Sequence, residues 1–171
     1  LGEPYMADTC YSMNIHYVFS TQDRAPLIIG ELRDRLPQFV GGALRKHGAK
    51  PLCIGGTSDH VHILVSLPTT MSVGKAVQLA KGSSLKWIHE TFADKRTFSW
   101  QEGYGAFSVS VSQIPTTVTY IRNQAKHHLR QTFEEEYAAF LRKHEINFDQ
   151  RYFDEYQCDR KSIDPQLLKI Q

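Results

Sequence analysis

Between Tyr11 and Ser20 apolar and polar residues alternate: Tyr11, Met13, Ile15, Tyr17 and Phe19 fall on one side, Ser12, Asn14 and His16 on the other. Successive side chains of a strand point to opposite faces, so the segment predicts a strand with one buried face. The rest of the chain must supply its sheet. His60 to Leu67 alternates in the same way, with Val61, Ile63, Val65 and Leu67 on the buried side. Pro51 to Ser58 reads as a short strand with a glycine bend. Phe98 to Ser110, which contains Gly-Tyr-Gly and leads into the alternation Phe107, Val109, Val111, reads as a fourth.

Helical stripes separate these strands. Glu31 to His47 places Leu32, Leu36, Phe39, Val40, Ala43 and Leu44 on one side, although Pro37 and Gly41-Gly42 predict a kink or a late start. Ser72 is an N-cap for a helix to about Phe92 that carries Val73, Ala76, Val77, Ala80, Trp87 and Ile88. A helix from about Gln113 to Arg130 follows, its first turn accommodating Pro115. The order β-α-β-β-α-β-α predicts an α+β fold: a ferredoxin-like (split βαβ) antiparallel sheet with helices on one face. Residues 1–10 read as a leader, with Met6 as a natural start and Leu1–Tyr5 as an expression remnant. Residues 131–171 read as a C-terminal helical tail, opened by Glu134-Glu135-Glu136 and striped by Tyr137, Phe140, Leu141 and His144.

Composition narrows the function classes. In 171 residues, 41% hydrophobic and 22% charged, there is no collagen-like, disordered or disulfide-scaffold signature. No apolar run is long enough to span a bilayer, and no secretory leader is read. Cys10, Cys53 and Cys158 form no CxxC pair, which points to reduced thiols in a cytoplasmic protein. The net charge of +2 divides unevenly. Residues 1–130 carry 14 Lys+Arg against 9 Asp+Glu, while residues 131–171 carry 6 against 9. A basic body with an acidic tail raises the case for a polyanionic partner.

The sharpest chemical feature is His60-Val61-His62. On a strand, residues i and i+2 share a side about 7 Å apart, so two imidazoles can converge on one metal ion. With eight histidines in the chain, roughly 0.4 such pairs arise by chance, so alone the motif is weak and a bare surface pair is its more ordinary reading. A metal would need a further protein ligand. Tyr120 and Gln124 stand one helical turn apart. Val118, Ile121, Ala125 and Leu129 form the apolar stripe of that helix, within about 80° at 100° per residue, and Tyr120 and Gln124 lie roughly 105° to 145° from its centre. That geometry turns Tyr120 away from the stripe expected to dock on the sheet, and leaves a core role and a functional role both open. A phenol with a pKa near 10 is only about 0.1% ionised at neutral pH. A cation beside it favours the phenolate and draws charge from a bound phosphate, which is the chemistry of covalent phosphoryl transfer. Other histidine motifs fit poorly: Leu64 stands where a histidine triad needs its third member, and HExxH, Walker and GxSxG motifs are absent.

His60-Val61-His62 on a strand, Trp100-Gln-Glu-Gly-Tyr-Gly-Ala-Phe-Ser108 before the last helix, and Tyr120-Ile-Arg-Asn-Gln124 together resemble the single-tyrosine HUH transposases. These serve small single-strand insertion sequences of bacteria and archaea, the IS200 type. The resemblance covers about residues 11–130, which would then be the catalytic domain. It implies a homodimer with a ferredoxin-like core and a divalent ion, Mg²⁺ or Mn²⁺, held by His60, His62 and Gln124. It implies Tyr120 as the nucleophile, leaving a 5′-phosphotyrosine and a free 3′-OH. The substrate implied is hairpin-bearing single-stranded DNA, cut and rejoined without ATP, with an active site that two subunits can share.

The basic residues of 75–130 (Lys75, Lys81, Lys86, Lys95, Arg96, Arg122, Lys126 and Arg130) are expected to surround this site. Arg122 and Lys126, on the tyrosine helix, are the candidate DNA contacts. Asp59 is a candidate to orient an imidazole. His16 reads either as a structural histidine or as bordering the site, and His127 and His128 are similarly open. The alternatives are a non-catalytic nucleic-acid-binding module on the same sheet, and an HUH nickase of replication or conjugation. Nickases of that kind often use a third histidine where this chain has Gln124. A domesticated relative acting on chromosomal repeats is a further one.

Overall fold

The computed structural model describes residues 10–124 and 132–148. These fall in two compact units, divided between His127 and His128. In the first unit, strands β1 (Asn14–Ser20), β2 (Lys50–Gly56), β3 (His60–Ser66) and β4 (Gly105–Ser108) form one sheet in the order β2-β3-β1-β4. Every neighbouring pair is antiparallel. The two strands read most directly from alternation, β1 and β3, occupy the centre of the ferredoxin-like order.

Helices α1 (Gly30–Lys46) and α2 (Val73–Thr91) cover one face. On α1, Leu32, Leu36, Val40 and Leu44 recur at four-residue spacing and are all buried. The helix runs continuously through Pro37 instead of starting late. Ser72 caps α2, its hydroxyl accepting the Lys75 backbone N–H at 3.1 Å. Phe39 of α1 and Trp87 of α2 stack with centroids 4.4 Å apart. Under them lie Tyr17, Phe19, Val61, Ile63 and Val65, the alternating face of the two central strands.

The fourth strand is shorter than its sequence suggests. The ladder with β1 covers Gly105–Ser108, single backbone bonds reach β1 from Gln101 and Val109, and Trp100 touches Thr21 through an isolated bridge. Between them, Lys81 of α2 donates to the carbonyls of Gln101 at 2.6 Å and Gly103 at 2.8 Å. Those acceptors are satisfied off the sheet, so extended pairing has no need of them. Phe98 and Trp100 turn inward instead and plug the end of the core, each ring edge-on at 4.9 Å to its neighbour.

Helix α3 (Ile114–Arg122) lies on the opposite face from α1 and α2. Cys53 and Gly55 share a side with Leu64 and His62, their register partners on β3, and both meet α3. The Cys53 thiol lies 4.0 Å from the Val118 carbonyl. A Cβ at Gly55 would come within 3.0 Å of the Ile121 carbonyl oxygen, so glycine lets the helix backbone approach β2 closely. In the second unit, α4 (Phe133–Lys143) opens with a capping box: Thr132 accepts from the Glu135 N–H, and Glu135 accepts from the Thr132 N–H.

Candidate metal centre and its tyrosine

His60 and His62 project from β3 onto the α3 face, and both are fully buried. Each offers a ring nitrogen, and the two nitrogens lie within 4.8 Å of one another. This makes them a candidate metal pair rather than a surface pair.

His60 is held through Nδ1. The Asp59 carboxylate lies 2.7 Å away and the Thr57 hydroxyl 2.8 Å away. Thr57 donates its own proton to Asp59 at 2.7 Å, which leaves the His60 N–H to point at the carboxylate. Asp59 is gripped from behind by Arg24, whose Nη2 lies 2.5 Å from Oδ2 and Nε 3.1 Å from it. Burial pushes the Asp59 carboxyl up. The His60 hydrogen bond, the Arg24 charge and the Thr57 hydroxyl outweigh it, and the group is held well below the usual carboxylate range. Arg24 reaches Asp59 from a turn in which Asp23 and Arg24 both take positive φ, 53° and 56°. Left-handed backbone at a non-glycine residue is strained, and two in a row need fixing by their surroundings. The Asp23 N–H to Gln101 Oε1 bond at 3.1 Å and the Arg24 N–H to Thr21 carbonyl bond at 3.1 Å supply it.

With the proton of His60 on Nδ1, its Nε2 carries a lone pair and faces Gln124, whose Oε1 is 3.5 Å away. Two acceptor atoms facing at that distance suit a shared cation and not a direct hydrogen bond. The second imidazole, His62, and the amide oxygen make a mixed nitrogen–oxygen donor set, suited to a borderline divalent ion. The residues present therefore fit a divalent metal ion.

Tyr120 stands beside this group in the same chain. Its ring centroid is 5.7 Å from that of His62, edge-on at 86°, and 6.3 Å from that of His16. The helical-wheel expectation that Tyr120 turns away from its own sheet is corrected here. It assumed that α3 docks on the sheet by one stripe alone, whereas α3 settles over Gly55 through Ile121 and brings its flank against the histidines. Helix α3 itself ends at Arg122, where the Asn123 N–H turns back to the carbonyls of Thr119 and Tyr120. Gln124 is again helical and is buried, and residues 125–130 of the expected helix lie outside the described residues.

The three lysines of α2 do not border the site. Lys75, Lys81 and Lys86 belong to α2, across the sheet from the histidines. Lys81 is engaged with loop carbonyls, and Lys86 pairs with Glu90 at 3.8 Å. Arg122 turns to β2, where its charge and hydrogen bond lower the Cys53 thiol against a burial that raises it more. Lys126, His127, His128 and Arg130 lie outside the described residues. Sequence reasoning missed Arg24 and Thr57, and no local signal marks either: one sits on an irregular turn and the other before a strand.

His16 is the remaining neighbour. Its Nε2 lies 3.0 Å from His62 Nδ1, so it belongs to the site's interior and not to its border. A cleft lined by Met13, Asn14, Thr70, Ser72 and Val109 opens at the other end of β1 and β3, away from this chemistry. Among the described residues no helix is long and apolar enough to cross a membrane.

Residues 9–124 match the family described as "Transposase IS200 like". The transposase for insertion sequence element IS200 of Salmonella typhimurium is 29% identical over 139 residues, covering 75% of this chain and 85% of that protein. The ISDra2 transposase TnpA of Deinococcus radiodurans is 21% identical over 119 residues, covering 67% of this chain and 85% of the relative. Among solved structures, a Deinococcus radiodurans R1 chain described as a transposase superposes with a TM-score of 0.56 at 22% identity, over 72% of this chain and 96% of the other. A REP-associated tyrosine transposase bound to a REP hairpin superposes with a TM-score of 0.54 at 12% identity, over 74% of each chain. These two structures share the fold.

Proposed function

The chain belongs to the IS200-like transposase family, and we propose that it cleaves and rejoins hairpin-bearing single-stranded DNA through a covalent 5′-phosphotyrosine on Tyr120. The observation that carries this reading is the meeting of Tyr120, His62, His60 and Gln124 on one face of the sheet, with the tyrosine ring 5.7 Å from His62 and Gln124 3.5 Å from His60. His60, His62 and Gln124 would hold a divalent ion, Mg²⁺ or Mn²⁺. When bound, such an ion acts as a Lewis acid on a phosphoryl oxygen.

The chain's own residues do the rest. The Tyr120 oxygen attacks the scissile phosphorus as its proton leaves, and the bond from phosphorus to the 3′ oxygen breaks. That oxygen takes up a proton and departs as a free 3′-OH. Rejoining reverses the exchange: an incoming 3′-OH attacks the phosphotyrosine and releases Tyr120. One phosphodiester replaces another, so no external energy source enters. Asp59 and Thr57 keep the His60 proton on Nδ1, and Arg24 keeps Asp59 ionised. The supporting likeness for the substrate is the hairpin bound by the REP-associated relative.

Arg122 and Lys126 are proposed to contact the DNA backbone. The protein is proposed to act in the cytoplasm of a bacterial or archaeal cell as a homodimer. The tyrosine stands against its own chain's His62, so a single subunit carries every proposed ligand and the nucleophile. A dimer that exchanges tyrosine helices would rebuild the same arrangement in trans.

The test uses single strands from candidate element ends, labelled at either terminus, with Mg²⁺ or EDTA. The 3′-labelled fragment is expected to become protein-linked while the 5′-labelled fragment leaves with a free 3′-OH. Both products should vanish with EDTA and in Tyr120→Phe. A covalent adduct that persists in Tyr120→Phe would remove Tyr120 as nucleophile.

A further inference from the structure

We propose that His16 is a positioning residue of this metal centre: it accepts the hydrogen bond that decides which nitrogen of His62 can hold a cation. The inference rests on the reading of His60 and His62 as metal ligands.

Val18 of β1 is the register partner of His62, and His16 is the partner of Leu64. His16 is therefore the diagonal neighbour of His62 on the same face, within reach of a long side chain. The two rings lie 5.1 Å apart at 27°, with His16 Nε2 3.0 Å from His62 Nδ1, and both are buried. Phe107 at 6.5 Å and Tyr120 at 6.3 Å border the His16 ring.

A neutral imidazole carries one N–H and one lone pair. If His62 is to bind a cation through Nε2, its proton must sit on Nδ1, and that N–H points at His16 Nε2. His16 then has to present a lone pair there. The opposite polarity, with His16 donating, would place the His62 proton on Nε2 and close the ligand position. Metal binding and the direction of this single hydrogen bond are thus coupled. At His60 the same task falls to the Asp59 carboxylate, which can only accept. The two ligands are oriented by acceptors of different kinds, one anionic and one neutral.

The prediction is direct for substitutions at position 16. Gln sets an amide oxygen close to where imidazole Nε2 lies and can accept. Phe fills the space and cannot accept. Removing such a partner typically weakens metal affinity about 10- to 100-fold.

The experiment titrates Mn²⁺ into the full chain, followed by electron paramagnetic resonance, for the wild type, His16→Phe, His16→Gln and His62→Ala. A loss of about 10-fold or more in His16→Phe, with affinity largely restored in His16→Gln, is expected. Wild-type affinity in His16→Phe, alongside lost affinity in His62→Ala, overturns the role of His16 and leaves the metal reading standing. Mn²⁺ binding that His62→Ala does not change overturns the metal reading and this inference with it. Nitrogen-15 spectra of the Zn²⁺-loaded wild type need no variant to fold. They should show His62 protonated at Nδ1, with coupling across the bond to an unprotonated His16 Nε2. A proton found on His16 Nε2 overturns the proposal.

Discussion

The two faces of the sheet come from the same strands, and only one of them buries a cluster of polar side chains. On the α1/α2 face, Tyr17, Phe19, Val61, Ile63 and Val65 meet the leucine stripe of α1 and the small residues of α2. On the α3 face, one residue along each strand, the buried polar side chains Asn14, His16, Ser20, His60 and His62, joined by Gln124, lie among the apolar Val18, Leu64, Phe107 and Ile121. The first face gains stability from removing apolar area from water. The second buries groups that are costly without partners. The hydrogen bonds at 2.7 to 3.0 Å linking Asp59 to His60 and His16 to His62 are what make that burial tolerable. A sheet of alternating residues can keep stability and chemistry apart by parity: a change on one side leaves the other side's packing untouched.

That division can be broken from either side. The largest effect is expected for His62→Ala, which should reduce DNA cleavage at least about 1,000-fold, on the order of 4 kcal/mol of transition-state stabilisation. Hairpin binding should survive. Gel assays for cleavage and for binding, run side by side, separate the two, and joint loss of binding and folding would make His62 structural. Leu36→Ala is the counterpart on the other face. It should cost about 2 to 5 kcal/mol of stability in denaturant unfolding, with Mn²⁺ affinity of the folded protein unchanged. A weakened metal site in that variant would mean that the two faces are coupled.

Gly55→Ala tests the contact between them. The added methyl meets the Ile121 carbonyl at 3.0 Å, so α3 must shift by a few tenths of an ångström. A cost of about 1 to 3 kcal/mol is expected, together with a loss of adduct formation larger than the loss of hairpin binding, because Tyr120 and Gln124 move with the helix. Equal losses would show that Gly55 matters only for folding.

The smallest effect is expected at Asp59, in the pH dependence of stability. Its carboxyl is held low in the folded protein. Its contribution is therefore complete above the unfolded value, about pH 4, and is lost as the pH falls below that. Asp59→Asn should flatten the acid side of a melting-temperature profile and leave the slope above pH 5 alone. An unchanged acid limb would show that the Arg24–Asp59–His60 chain does not stabilise the fold.

Much of this was legible residue by residue. Alternation located β1 and β3, the Ser72 cap marked the start of α2, and the β-α-β-β-α-β order implied the sheet. His60, His62, Tyr120 and Gln124 stood out because residue type and spacing within one element suffice to flag them. Extended pairing over Phe98–Ser110 did not follow, because Lys81 draws the carbonyls of Gln101 and Gly103 away from the sheet. Lys81 likewise shows why a charge count does not place a basic surface: a lysine's position in the chain does not say which side of a sheet its helix covers.

Local periodicity carries information over a few residues, and it sufficed for β1, β3, α1 and α2, while the joining of two histidines with a tyrosine and a glutamine came from the resemblance of three separate motifs. The side of the sheet that α3 covers, its close approach over Gly55, and the convergence of Arg24, Asp59 and Thr57 on one imidazole and of His16 on the other were set by the folded molecule. Arg24 and Asp59 are 35 positions apart and His16 and His62 are 46 apart. Contacts at such separations depend on strand register and on turn backbone held at positive φ, and neither leaves a periodic trace in the chain.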